Sequence, residues 1–371
     1  MKKFRKGLIL LSAGLVLLTA GCSCYNGEDE NQNEETNHDS AANYDDFKNS
    51  LSGLYEENVK TTVVVEAFNK AGNRSLGTGF VYREEGGTAY ILTNAHVLVS
   101  KDGNGDVNYY TNKIEVVYSN YERQRVSLAG YDRNEDVAVL MVSANTNYKV
   151  AKIVNDDYST NVGDAVFAIG HPHDQRFSLT EGVISGTKIK TSLDYIAVNA
   201  STKTFVYNST ATINAGNSGG PLFNANGEVV AINTMYPNDT GANTPHRNFN
   251  YSIPVRHCVD VADHLVGSPN ENSYKRAVLN LTGKSISSYD TTAAANANIT
   301  VKRGVHVTSS NYIEIPADIK VITAVDGVEI ATVEELEYAI FTKKSSDTTV
   351  TLTICDKTGS TGKQQIITLS R

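Results

Sequence analysis

Gly216-Asn217-Ser218-Gly219-Gly220-Pro221-Leu222 sets a serine among glycines, after one apolar strand-like run and before another. Glycines on both sides open backbone conformations closed to other residues and let a second chain come close. A hydroxyl on such a turn can be aimed outward. The amides of Gly216 and Ser218 can then converge on one oxygen, which is the geometry that stabilises an oxyanion. In isolation the pattern reads equally well as a tight turn in an ordinary β protein, so the rest of the chain must decide.

The chain has 371 residues, more than one ordinary domain uses. Its apolar fraction of 40% and charged fraction of 20% are those of a soluble globular protein. The apolar runs are short and rich in Val, Ile and Thr, which favours β structure. Net charge is −8; without the four basic residues of the first 21 it falls to −12. No basic patch is available to neutralise phosphates, so nucleic acid is not expected as a partner. The four cysteines fit neither a disulfide framework nor zinc spacing. A Cys258–Cys355 bridge would have to join two candidate domains and is not expected.

Met1 to Gly21 is a basic start followed by an apolar run, the pattern of a secretory leader. The run is short for a membrane span. It ends Leu18-Thr19-Ala20-Gly21-Cys22, which resembles a bacterial lipobox with Thr19 where an aliphatic residue is more usual. That resemblance implies cleavage before Cys22 and lipidation of its sulfur; an uncleaved anchor or a plain secretion signal stay open. The expected location is extracytoplasmic, on the outer face of the cell membrane as a lipoprotein. Residues 22–52 are acidic and polar and are expected to form a disordered tether, with a reach of roughly 30 Å. Leu51 to Lys60 reads as a short helix.

Short strands follow. Tyr90-Ile91-Leu92-Thr93-Asn94-Ala95-His96 ends an apolar strand in an imidazole, and Asp136-Val137-Ala138-Val139-Leu140 places a carboxylate at the mouth of a buried strand. Taken alone, each is more often structural. Asp102 to Asn108 looks like a calcium loop, but Val107 and Lys113 stand where that loop needs Gly and Glu. His171-Pro172-His173 has no accompanying ligand cluster and reads as a turn. No metal and no cofactor is expected.

His96, Asp136 and Ser218 together supply a coherent chemistry. A serine hydroxyl needs a base to take its proton, histidine serves near neutral pH, and a carboxylate fixes the imidazole tautomer. The order His, Asp, Ser is that of chymotrypsin-type enzymes. With Gly77-Thr78-Gly79-Phe80, Leu92–Val97, Asp136–Leu140, Ala168–Pro172, Thr180–Gly186, Thr212–Leu222, Gly227–Thr234 and Asn250–Pro254 in that order, the sequence resembles the HtrA/Deg serine proteases. The resemblance covers about Thr61 to His264. It implies an all-β, chymotrypsin-like double β-barrel over residues 53–267, with the triad in the cleft. By position His96 is general base and acid, Asp136 orients it, and Ser218 is the nucleophile. The amides of Gly216, Asn217 and Ser218 would form or frame the oxyanion hole. Thr212 and Ile213 would floor the specificity pocket, which holds no carboxylate, so cleavage after Lys or Arg is not expected. Ile232, Asn233 and Thr234 would pair with substrate backbone.

Residues 270–371 resemble the small α+β PDZ-like domains that follow such proteases. The features are Lys320–Val325 as a strand, Asp326-Gly327 as a turn, Thr332 with Glu335 as a capping box, and alternating Val350, Leu352 and Ile354. Asn311 to Ala317 reads as a shortened helix, and Leu279-Asn280-Leu281-Thr282-Gly283 is the candidate carboxylate-binding loop. The resemblance implies an ATP-independent serine endopeptidase acting on unfolded or damaged extracytoplasmic proteins. It also implies homotrimers and a possible site for peptide C-termini on the PDZ-like domain. The alternative is a non-cleaving chaperone or peptide sensor on the same fold.

Overall fold

The structure, a computed structural model, describes residues 44–371 except 103–104, 173–174, 193–202, 236–249, 269–272, 289–296, 314, 319 and 360–361. The expected leader, the lipidation site Cys22 and most of the expected tether lie outside these residues.

The chain enters on helix α1 (Tyr44–Asn58), inside the stretch expected to be tether and earlier than the helix read from Leu51. The acidic composition hid an apolar stripe at Phe47, Leu51, Leu54 and Tyr55, spaced for one helical face. Phe47 is 1% exposed, its ring 6.3 Å from that of Phe167, and the other three pack on the same core.

Strands β1 (Thr62–Phe68), β2 (Arg74–Glu85), β3 (Thr88–Thr93), β4 (Lys113–Val117), β5 (Arg123–Asp132) and β6 (Val137–Ser143) close into a barrel in the order β1-β2-β3-β6-β5-β4. A small hairpin of Val99–Asp102 and Gly105–Asn108 takes in the calcium-like stretch. Strands β7 (Ala165–Gly170), β8 (Ser178–Ser192), β9 (Lys203–Ser209), β10 (Pro221–Asn224), β11 (Glu228–Met235) and β12 (Asn250–Pro254) follow. They run β10-β7-β8-β9-β12-β11, and pairing of β10 with β11 closes a second barrel with the connectivity of the first. Both barrels share one core, because β1, β6 and β7 are apolar and buried almost throughout.

Helix α2 (Val255–Gly267) leaves the second barrel and crosses back onto β5 and β6 of the first. Its buried face of Val255, His257, Cys258, Val261, Ala262 and Leu265 has helical spacing. Cys258 is a buried free thiol, as is Cys355.

A third sheet has its own core. Strands β13 (Leu281–Ser285), β14 (Val305–Ser310), β15 (Lys320–Val325), β16 (Thr349–Asp356) and β17 (Lys363–Thr368) lie in that order, and Val328–Glu329 pairs with β15. Helix α3 (Val333–Phe341) starts at a complete capping box of Thr332 and Glu335. Leu336 and Ile340 pack on Val350, Leu352 and Ile354, the alternating positions of β16. Asn311 to Ala317 is not helical among the described residues: Pro316 has no N–H to give and drives Ile315 toward extended backbone.

Phe47→Ala is expected to lower the unfolding free energy by about 3 kcal/mol. Urea denaturation followed by tyrosine fluorescence checks this; a change within about 0.5 kcal/mol, the size of an ordinary surface effect, would mean α1 does not belong to the core.

Candidate active site

His96 sits in a short 3-10 turn, Ala95–Val97, directly after β3. Asp136 ends the turn between β5 and β6, and Ser218 lies in the tight glycine turn before β10. Asp136 has no exposed surface, while the His96 side chain is 19% exposed. The His96 backbone N–H donates to Asp136 Oδ1 at 3.0 Å, and Nδ1 lies 2.9 Å from Oδ2 and 3.1 Å from Oδ1. A carboxylate only accepts, so Nδ1 carries the proton and Nε2 presents its lone pair. Asn94 Nδ2 donates to the Asp136 carbonyl at 2.8 Å.

Thr234, on β11 of the second barrel, joins the acid to the serine. Its hydroxyl donates to Asp136 Oδ2 at 2.5 Å, and its carbonyl accepts from Ser218 Oγ at 2.9 Å. Three residues read from separate local patterns thus meet at one seam. The threonine that joins them was read only as part of a substrate strand.

The loop carrying Ser218 is tightly determined. The amides of Asn217, Gly219 and Gly220 donate to the carbonyls of Asn214, Asn233 and Asn217. The amides of Gly216 and Ser218 have no such partner among the described residues. They are the pair the sequence pointed to. Asn217 was counted with them, but its N–H is already engaged, so it frames the loop. Gly216 has φ +105°, and a Cβ there would lie 2.1 Å from the His171 carbonyl oxygen. The first barrel holds this loop through Thr78, whose N–H donates to the Ser218 carbonyl at 2.9 Å and whose hydroxyl donates to the Gly216 carbonyl at 2.6 Å.

The residues expected to face substrate divide. Ile213 is buried at 3% exposure, and Thr212 beside it is exposed. Ile232 pairs on both sides, with Pro221 and Ile253. Asn233 donates its N–H to Gly220, accepts from Gly219, and spends its side chain on Pro221 and Ser252. Neither Ile232 nor Asn233 has a free ladder group, because closure of the second barrel uses both edges of β11. The bulge between Asn233 and Met235 releases the strand at Thr234, and the stretch beyond 235 lies outside the described residues.

The turn that carries Asp136 holds two more carboxylates that sequence reasoning passed over. Glu135 is 3% exposed. Burial works to raise its carboxyl, but Arg276 and His257 beside it outweigh this and hold it at about 2. Asp132 accepts from the amides of Asn134, Glu135 and Tyr274. Burial, then the charge of Glu135, pushes it up to about 6. Among the described residues no three His, Cys, Asp or Glu side chains gather as a metal site would require. Residue 173 of the His171-Pro172-His173 turn lies outside them.

A cavity of about 440 Å³ opens between β13 and α3. Leu279, Leu281, Leu336 and Ile340 line it, with Lys203 and Phe205 of β9 at its rim. The Phe205 ring lies 5.3 Å from those of Tyr338, edge-on, and Phe341, tilted, so the second barrel supplies part of one wall.

Residues 77–232 match the family model described as a trypsin-like peptidase domain. The chain is 28% identical over 281 residues to a serine protease Do-like HtrB of Bacillus subtilis, covering 69% of this chain and 57% of that one. It is 35% identical over 210 residues to a probable periplasmic serine endoprotease DegP-like of Halomonas elongata, covering 56% and 38%. The chain therefore spans about half the length of these two relatives. The solved structure of the HtrA-type protease AlgW with tripeptide superposes with a TM-score of 0.58 at 19% identity, covering 86% of this chain and 96% of that one. The double barrel with an appended small α+β unit is thus a shared fold, and the resemblance read from the motifs holds.

Thr234→Val removes a donor to a buried carboxylate and is expected to cost roughly 2 kcal/mol of stability. Urea unfolding checks it. Asp132 binds its proton more tightly folded than unfolded, so its contribution is favourable below about pH 4 and is lost as pH rises through about 6. The two-unit displacement corresponds to roughly 3 kcal/mol. The melting temperature of Asp132→Asn relative to wild type should therefore rise between pH 4.5 and pH 7.5, by scanning calorimetry. A constant difference would refute it.

Proposed function

We propose, from the premise that residues 77–232 carry a trypsin-like peptidase domain of HtrA/Deg type, that the chain is a serine endopeptidase that cleaves unfolded or damaged extracytoplasmic proteins without ATP. The observation that carries the reading is the meeting of His96, Asp136 and Ser218 through Thr234, beside two amides, of Gly216 and Ser218, that have no backbone partner among the described residues. In this reading residues 53–267 act as the peptidase and residues 270–371 as a PDZ-like unit. The chain is anchored through lipid on Cys22 to the outer face of the cell membrane and works as a trimer.

The chemistry follows from the geometry. Ser218 Oγ turns from the Thr234 carbonyl toward His96 and passes its proton to Nε2 as its oxygen bonds to the scissile carbonyl carbon. The carbonyl oxygen takes the negative charge and the amides of Gly216 and Ser218. Asp136 steadies the imidazolium through Nδ1–H. His96 then protonates the leaving nitrogen, the C–N bond breaks, and an acyl ester remains on Ser218. Water, deprotonated by His96, repeats the sequence and frees the acid. Once Ser218 has turned away, the Thr234 carbonyl can accept a substrate N–H. With no carboxylate at Thr212 or Ile213, a small or medium aliphatic residue before the scissile bond is favoured. The edge strand β13 and the apolar cavity beside α3 suit an added peptide strand ending in a carboxylate.

Casein hydrolysis by the full chain, beside Ser218→Ala, tests the reading. The wild type should cut, mainly after aliphatic residues, and the variant should lose at least about a thousandfold in rate. Hydrolysis retained by the variant, or none by either at any temperature below unfolding, would remove the peptidase assignment.

A further inference from the structure

Asp136 holds a left-handed backbone, φ 55°, at a fully buried position. A non-glycine residue there is strained, and the conformation persists only where the surroundings over-determine it. Bonds to His96 and Thr234 fix its carboxylate oxygens, and Asn94 fixes its carbonyl. Upstream, the chain is fixed by the neighbouring side chain, Glu135. Arg276 Nε donates to its two oxygens at 2.6 and 2.8 Å, and Nη2 donates to Oε2. His257 Nε2 lies 2.6 Å from the same Oε2. Arg276 is itself held by a bond from Nη1 to the Lys203 carbonyl.

These partners come from far along the chain. His257 belongs to α2, and Arg276 lies on the connection between α2 and β13, 141 residues after Glu135. The Phe341 ring of α3 covers both, 4.2 Å from the His257 ring and 5.2 Å from the Arg276 guanidinium. An ion pair this buried is a poor device for stability alone, since well-packed apolar side chains do as well or better. What it supplies is direction: a guanidinium fork meets a carboxylate in one plane and one register.

We propose that Arg276 and Glu135 are positioning residues for the peptidase reaction: the Arg276 fork on Glu135 sets the backbone of Asp136 and through it the orientation of His96. The inference rests on the peptidase reading given above. A displacement near 1 Å in such a group is enough to cost about a hundredfold in rate. The residue that does this sits at the entrance to the C-terminal unit, outside both barrels.

The test uses the full chain with Arg276→Met, which keeps the stem and drops the fork, and Arg276→Lys, which keeps the charge. Lys344→Ala is the control; it removes the Lys344–Asp156 pair between the same two units without touching Glu135. Three quantities are read: the labelling rate of Ser218 by a fluorophosphonate, kcat and KM on a quenched fluorescent peptide, and the low-field proton resonance of His96 Nδ1–H. Arg276→Met should slow labelling and kcat by 10- to 100-fold with KM within about twofold, and should shift the resonance. Arg276→Lys should recover part of the loss, and Lys344→Ala should match wild type.

Wild-type labelling and an unmoved resonance in Arg276→Met would overturn the proposal. So would an equal loss in Lys344→Ala. If the wild type neither labels nor cuts, the peptidase reading fails, and the resonance alone decides: a shift in Arg276→Met supports the positioning role and no shift removes it. If Arg276→Met does not fold, Glu135→Gln, which keeps the shape and loses the charge, is read by the same three measures.

Discussion

A carboxylate with no exposed surface lies at the seam of the two barrels, and much of the architecture follows from surrounding it with donors there. An ionised group out of water costs several kcal/mol unless donors surround it. Asp136 receives the His96 amide and imidazole from the first barrel and the Thr234 hydroxyl from the second. The second barrel alone would leave Oδ1 without a donor, and the first alone would leave Oδ2 with the imidazole only. The seam is therefore registered by hydrogen bonds as well as by the shared apolar core, and the registration falls at the site of the proposed chemistry.

The glycine turn is the same constraint seen from the other side. The first barrel reaches across through Thr78 to hold two carbonyls of the turn, those of Ser218 and Gly216. That contact leaves no room for side chains. At Gly219, with φ +84°, a Cβ would sit 2.3 Å from the Thr78 carbonyl oxygen. With carbonyls turned to Thr78 and the amides of Asn217, Gly219 and Gly220 turned to Asn214, Asn233 and Asn217, the amides of Gly216 and Ser218 are left without a backbone partner among the described residues. The exposure of this amide pair as the proposed oxyanion hole is thus a consequence of how the turn is clamped between barrels.

The double barrel and the three side chains that meet at its seam were legible because each has a local signature. A strand running into Asn-Ala-His, an acid before a buried strand and a serine among glycines each state their place within a few residues. Thr332 with Glu335, and the alternation along β16, announced the last unit in the same way. Contacts across long chain separations were not legible. Thr234 reads as one more strand residue until β11 is seen to end beside Asp136. Glu135 and Arg276 are 141 residues apart and have no shared pattern. Helix α1 began early because four apolar residues in an acidic stretch mattered more than its average composition. The pairing of Ile232 and Asn233 was hidden for a related reason: an apolar strand near the serine looks like a substrate edge, but barrel closure uses both of its sides.

The serine hydroxyl carries the argument one step further. It donates to the Thr234 carbonyl, which belongs to the residue whose own hydroxyl steadies Asp136. In the proposed chemistry that proton must instead face His96. Exchanging one neutral hydrogen bond for another costs on the order of 1 kcal/mol, too little to act as a lock. The exchange has a direction, however. A substrate strand laid along Thr234 would supply an N–H to its carbonyl and compete with the hydroxyl for the one acceptor it has among the described residues. In the proposed chemistry binding and activation would then be one event, because the group that meets the substrate backbone would also release the nucleophile.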